Sequence, residues 1–313
     1  MPTTNLFKTY HFDSNHPGPH LLISAGVHGD EYEPMIAANK LIQTATSFLT
    51  KGSVTIAPVV NRSAFSLASR CGTDGLDLAR TCPGKKEGSI TEEVANEISL
   101  LIQQSDFFID MHTGGTLFNI FPLAGYMLHD SPEVLKHQQN MAEAFNLPVI
   151  WGTDKYAEGR TLSVARDANI PAIYVEYGGG ISASTQIIDA YFQGCLNVMR
   201  YLNMTDSVAE HSTYVHYWVD DYRIDSGHLQ TKMPSTSMGI FFPAVKPGDQ
   251  VQKGYLWGLV INPEDGSENK MIADVDGLVL FTRISSHVNT GESLGGILPI
   301  TKPGKKIFNA VIQ

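Results

Sequence analysis

One run, Leu21-Leu22-Ile23-Ser24-Ala25-Gly26-Val27-His28-Gly29-Asp30-Glu31, constrains this chain more than any other. Its apolar half reads as a buried strand, and it breaks into a glycine-containing loop that carries His28 and Glu31 just before a helical period begins. From Glu31 to about residue 44, Met35, Ala38, Leu41 and Ile42 share one helical face, with Asp30 as the expected N-cap. Strand, loop and helix in that order open an α/β unit.

The same grammar continues to about residue 204. Residues 54–60 read as a second strand, followed by a polar excursion over residues 61–88 that is too long for an idle loop. Ser89 and Glu92 have capping-box spacing ahead of Val94, Ile98, Leu101 and Ile102. Residues 107–111 form a short apolar strand ending at His112, and Pro132 suits the first position of another helix. A short strand is expected at 148–151 and a helical piece at 162–168. Residues 172–176 then form a strand ending at Glu176 and the run Gly178-Gly179-Gly180, and a helix covers 184–202. This alternation predicts an α/β fold, a mixed sheet covered by helices on both faces. Beyond residue 204, turn signals at 246–249, 263–266, 274–277 and 289–292 replace the helical periods. The expected domains are therefore 1–204, catalytic, and 205–313, a smaller all-β domain.

Net charge is -10, and the longest basic cluster is the short stretch 302–306, so nucleic acid is not an expected partner. No run approaches the roughly 18 apolar residues of a membrane span, and the first residues lack a signal-peptide pattern. Cys71, Cys82 and Cys195 are odd in number and lack metal spacing, which predicts free thiols and a cytoplasmic setting.

Three predicted strands end in residues able to bind metal or move a proton: His28 with Glu31, His112, and Glu176. Open α/β sheets put sites at the carboxyl ends of their strands, so these residues are expected to converge. Two imidazoles and a carboxylate make a catalytic zinc donor set with a fourth position open to water. Glu176 is then the free carboxylate that takes a proton, and Asp110 a group that orients an imidazole. Single His-x-x-Glu pairs are common, and it is the joint pattern that carries weight. Arg70 and Arg80 bracket the middle of the excursion, and Arg160 precedes the helix leading to Glu176. A guanidinium there can stabilise an oxyanion or clamp a carboxylate.

These residues resemble the motifs of the succinylglutamate desuccinylase/aspartoacylase family, zinc amidohydrolases related in fold to the zinc carboxypeptidases. The matching stretches are His28-Gly29-Asp30-Glu31, Asp74-Gly75-Leu76-Asp77-Leu78-Ala79-Arg80 with Pro83-Gly84, Asp110-Met111-His112, and Val175-Glu176-Tyr177-Gly178-Gly179. The resemblance implies one zinc per chain on His28, Glu31 and His112, with Glu176 as general base and acid and Arg70 beside the oxyanion. It also implies that Arg80 and Arg160 bind a substrate carboxylate. Where the family motif carries asparagine this chain has Ala79, which cannot donate the carboxamide hydrogen bond. The β segment resembles biotinyl and lipoyl carrier barrels, but Lys270 is too close to Gly277 for the carrier pattern.

The expected activity is removal of an N-acyl group from a small amino-acid-like substrate. The alternatives are a metallocarboxypeptidase on short peptides and a non-catalytic binding protein on the same fold. The expected partner is a small N-acylated molecule, with homo-oligomerisation left open.

Overall fold

The computed structural model describes residues 6–206, 216–228, 231–300 and 307–312. Its first elements are β1 (Tyr10–Asp13), β2 (His20–Ala25), α1 (Tyr32–Phe48), β3 (Ser53–Ala57) and the short α2 (Arg62–Ser66). A 3-10 turn at Leu78–Arg80 precedes α3 (Ile90–Gln103), β4 (Phe107–His112), β5 (Phe118–Met127) and α4 (Pro132–Phe145). Then come β6 (Val149–Thr153), α5 (Thr161–Asp167), β7 (Ala172–Gly178) and α6 (Thr185–Tyr201).

Side-chain alternation assigns each helix to a face of the sheet. Leu21, Ile23, Ile109, Met111, Ile173 and Val175 pack with α1, α4 and α6 in one buried cluster. Leu22, Phe108 and Ala172 point the other way, into a cluster with α3 and α5. On that second face each strand turns polar toward its carboxyl end, through Ser24 on β2, Asp110 and His112 on β4, and Tyr174 and Glu176 on β7. The mixed sheet covered on both faces is as expected from the sequence.

The later strands are β8 (Tyr217–Asp221), β9 (Gly239–Pro243), β10 (Gln250–Val251), β11 (Leu256–Ile261), β12 (Glu268–Ile272) and β13 (Gly277–Arg283). They end with β14 (His287–Val288), β15 (Gly295–Leu298) and β16 (Ile307–Ile312). The large sheet has the order β1-β3-β2-β4-β7-β5-β6-β8-β16. Strands β3, β2, β4 and β7 are parallel, β5 runs antiparallel to β7, and β6, β8 and β16 follow the direction of β5. β13 pairs with the start of β5 and carries β10 and β15. A second sheet, β12-β11-β9-β14, packs around the buried Trp257. Residues after 204 thus contribute strands to both sheets.

Two local expectations are corrected. Glu31, not Asp30, occupies the N-cap position of α1. The Asp30 carboxylate instead accepts from the Thr116 amide and hydroxyl at 3.0 and 3.1 Å, a tertiary contact that competes with capping. β5 has no counterpart in the sequence reading, because Pro122 and Gly125 interrupt its period. The β5–β7 register shifts between Ile120 and Leu123, where Pro122 sits.

Lys270 lies inside β12 opposite Leu259, not at a hairpin tip. All three cysteines are free. Among the described residues no helix is long and apolar enough to cross a membrane. The basic stretch 302–306 lies outside the described residues.

The turns that follow β4 and β7 interlock. Gly114 N–H donates to Gly178 O and Gly180 N–H to Gly115 O, at 3.1 and 2.7 Å. Gly179 has φ +123, and a Cβ there would lie 2.2 Å from the Phe118 carbonyl oxygen. Gly179→Ala is therefore expected to cost about 3 kcal/mol of stability, from backbone strain plus overpacking, read from urea unfolding. A loss below about 0.5 kcal/mol would contradict the interlock.

Candidate metal centre

Strand register assembles the site. In the parallel β4–β7 pair His112 lies beside Glu176 and Asp110 beside Tyr174, while Ser24 on β2 lies beside Asp110. His28 comes from the loop that leaves β2, and Glu31 from the cap of α1. His28 Nδ1 stands 2.7 Å from Glu31 Oε1, and His112 Nδ1 stands 3.0 Å from Glu31 Oε2. The three side chains are buried, and one donor atom from each lies within 4.8 Å of the others. The predicted triad of His28, Glu31 and His112 is thus brought together, with Glu176 next to it.

The outer ring nitrogens are also held. Asp77 Oδ1 faces His28 Nε2 at 3.2 Å, and Asp110 Oδ2 faces His112 Nε2 at 3.0 Å. Carboxylate acceptors at both Nε2 atoms favour a proton there and leave both Nδ1 atoms facing Glu31. An Nδ1 atom at hydrogen-bond distance from a carboxylate oxygen either carries a proton or shares a cation with it. Two imidazoles and one carboxylate in this arrangement fit a tetrahedral zinc with one position left for water.

Both carboxylates are fixed in turn. Asp77 caps the 3-10 turn, accepting from Ala79 N at 2.9 Å, and takes Arg70 Nε on its other oxygen at 3.0 Å. Asp110 accepts from Ser24 Oγ at 2.6 Å and from the Thr161 hydroxyl. The Tyr191 hydroxyl donates to the carbonyl of His112.

Burial pushes the Glu31 carboxyl up, but His28 and His112 more than offset it and hold its pKa at about 2. Burial disfavours charge on His112, yet Asp110 and Glu31 raise its pKa well above the ordinary value. The negative surroundings that favour a proton there favour a divalent cation equally. Glu176 differs: burial, with Glu31 adding to it and His112 opposing, raises its pKa to about 8. Its Oε2 is buried with no hydrogen-bond partner among the described residues.

The three arginines line one cavity of about 110 Å³ with these groups. Arg70 lies between Asp77 and His28, 3.5 Å from His28 Nδ1. Arg160 donates from Nη2 to Gly227 O at 3.2 Å, while its buried Nε has no partner among the described residues. Burial and the nearby Arg160 lower the pKa of Arg80 to about 10, so an anion between them would relieve both. The Ala79 methyl lines the same cavity. Tyr174, Thr161 and Gly227 also line it, and sequence reasoning missed all three. The alternation along β7 could have found Tyr174, two residues before Glu176, whereas nothing local marks Gly227.

The chain is similar to proteins already known. The family model described as succinylglutamate desuccinylase/aspartoacylase catalytic domain matches residues 17–202. The N-alpha-acetyl-L-2,4-diaminobutyric acid deacetylase of Halomonas elongata is 26% identical over 292 residues, covering 91% of this chain and 83% of that protein. The product-bound ectoine utilization protein EutE (DoeB) of Ruegeria pomeroyi superposes with TM-score 0.84 at 23% identity, over 92% of this chain and 87% of that one. A succinylglutamate desuccinylase/aspartoacylase of Rhodobacter sphaeroides gives TM-score 0.83 at 23% identity, over 93% and 88% of the two chains. At such identities the structural likeness establishes the fold.

Removing an outer carboxylate should loosen a metal ion held here while leaving the donors in place. Asp110→Asn is expected to weaken zinc binding by about 10- to 100-fold in chelator competition. Unchanged affinity would mean that Asp110 does not orient His112.

Proposed function

The chain belongs to the succinylglutamate desuccinylase/aspartoacylase family, and from that premise we propose that it is a zinc-dependent amidohydrolase that removes the N-acyl group of a small amino-acid-like substrate. The observation that carries the proposal is a carboxyl, Glu176, whose Oε2 is buried without a hydrogen-bond partner among the described residues, beside a three-donor set fit for a metal ion. His28, Glu31 and His112 would hold the ion. Zinc held there would act as a Lewis acid, lowering the pKa values of a water molecule and of Glu176 and polarising the acyl carbonyl.

The chain's own groups then do the following. Glu176 accepts a proton as the water oxygen bonds to the acyl carbon. Arg70 donates to the carbonyl oxygen as it becomes negative. Glu176 returns the proton to the nitrogen as the C–N bond breaks, releasing a carboxylic acid and an amine. Arg80 and Arg160 hold the anionic end of the substrate in charge-assisted hydrogen bonds. Ala79 offers that end no hydrogen bond, so its anchoring rests on the guanidinium groups.

Division of the chain at residue 204 assigns ligands and base to the first domain and part of the cavity wall to the second. A peptide substrate for a metallocarboxypeptidase would need an open groove. A cavity of about 110 Å³, bounded by Gly227 and Phe281, favours a small molecule instead. The named activity of the Halomonas relative supports an N-acetylated amino acid as the first substrate to try.

The test is amine release from N-acetyl, N-succinyl and N-formyl amino acids and a few dipeptides by zinc-loaded protein. Nα-acetyl-L-2,4-diaminobutyrate belongs in this panel. Glu176→Gln is expected to keep zinc and lose turnover, and His112→Ala to lose both. Full activity in Glu176→Gln would sink the mechanism, and silence of the wild type on every amide would favour a non-catalytic binding protein.

Arg70→Ala is expected to lower kcat about a hundredfold. A change confined to KM would reassign Arg70 to ground-state binding.

A further inference from the structure

The cavity is polarised about Glu176, and the β5–β7 ladder supplies its axis. Gly125 of β5 pairs with Tyr174, Leu123 with Glu176 and Ile120 with Gly178. Tyr174 and Ile120 therefore flank Glu176 on opposite sides. On the Tyr174 side stands Arg160, within electrostatic range of both the phenol and Arg80. That is the cationic end.

The other end is apolar. Ile120 of β5 is 5% exposed, and Phe281 of β13 pairs directly with it. The Phe118 and Phe281 rings meet edge to face, with centroids 5.1 Å apart at 87°. Gly296 of β15 lies opposite Phe281, where a Cβ would come within 2.2 Å of the ring, so the missing side chain is what lets the ring lie as it does. The polar group at this end is Thr113, whose hydroxyl oxygen accepts from Gly115 N–H at 3.2 Å. The nearest cation along β13, Arg283, is taken up by Glu292 and by the carbonyls of Ser285, His287 and Ser293. Of the three arginines that line the cavity, Arg80 and Arg160 belong to the cationic end, and Arg70 is tied through Nε to Asp77 at 3.0 Å.

If the carboxylate of the amino acid lies against the arginines, the amide reaches Glu176 and the acyl chain continues to the aromatic end. We propose that Phe118, Ile120 and Phe281 form the acyl-binding wall and that Phe281 sets its depth. The enzyme then takes short uncharged acyl groups of acetyl size and rejects succinyl. This rests on the deacylase reading above. A succinyl group would bring a second carboxylate against an aromatic wall where the arginine at hand, Arg70, is already tied to Asp77, whereas a methyl group loses nothing there. An added methylene would meet the ring of Phe281.

The experiment compares acetyl, propionyl, butyryl and succinyl amides of L-2,4-diaminobutyrate and L-aspartate. Turnover is followed with zinc-loaded wild type, and binding by calorimetry with zinc-loaded Glu176→Gln, which reports affinity without hydrolysis. The expected preference is acetyl over succinyl by about a hundredfold or more in both assays. Placed in both backgrounds, Phe281→Leu, or Phe118→Leu should the first variant fail to fold, is expected to move the preference toward butyryl by about tenfold.

Succinyl handled as well as acetyl, or an acyl ladder unmoved in both leucine variants, overturns the proposal while leaving the deacylase reading intact. Silence of every amide in both assays overturns the two together.

Discussion

Glu31 is a carboxylate taken almost wholly out of water, and it stays charged because two imidazoles face it. An ionised carboxyl buried without partners would cost many kilocalories. The compensation has to be delivered by strands and loops far apart in the chain. His28 comes from the exit of β2 and His112 from the end of β4, and each ring is gripped from behind by a further carboxylate, Asp77 or Asp110. Every group in the site is thus held by a group of opposite character. Glu176 and Arg160 are exceptions, each with one buried polar atom left without a partner among the described residues. In a low-dielectric site an unsatisfied carboxyl is a reservoir of proton affinity, which is what a general base needs.

The packing explains how such a polar cluster survives in the sheet. Its opposite face at the same strands is built of Leu21, Ile23, Ile109, Met111, Ile173 and Val175, all fully buried against helices. That layer fixes strand register, and register puts His112 beside Glu176. Sliding β7 by one residue would carry Glu176 into the apolar layer. The functional geometry therefore follows from a packing constraint on residues that never touch the site.

Much of this was legible in the sequence because it is local. The apolar runs that end at His28, His112 and Glu176, the capping spacing of Ser89 and Glu92, and Pro132 at a helix start each depend on a few neighbouring residues. The misses are non-local. β5 carries Pro122 and Gly125, and it is a strand because β7, β6 and β13 supply its hydrogen-bond partners. Asp30 has the residue type of a cap, but Thr116, far along the chain, claims its carboxylate. Gly227 reaches the cavity because the chain after β8 folds back over Arg160, and no periodicity announces that.

The reversal of direction at β5 also sets an order of completion. His28, Glu31 and His112 leave the ribosome before Glu176, and β13 with Phe281 is made later still. A nascent chain can assemble the polar half of the cavity while the start of β5 still lacks β13 beside it. The aromatic half closes only once β13 has been made. A chain broken off before β13 would carry His28, Glu31, His112 and Glu176 in a site open to bulk water on one side. The geometry thus separates, along the chain, the residues fit to hold a metal from the aromatic side chain that walls the other end of the cavity.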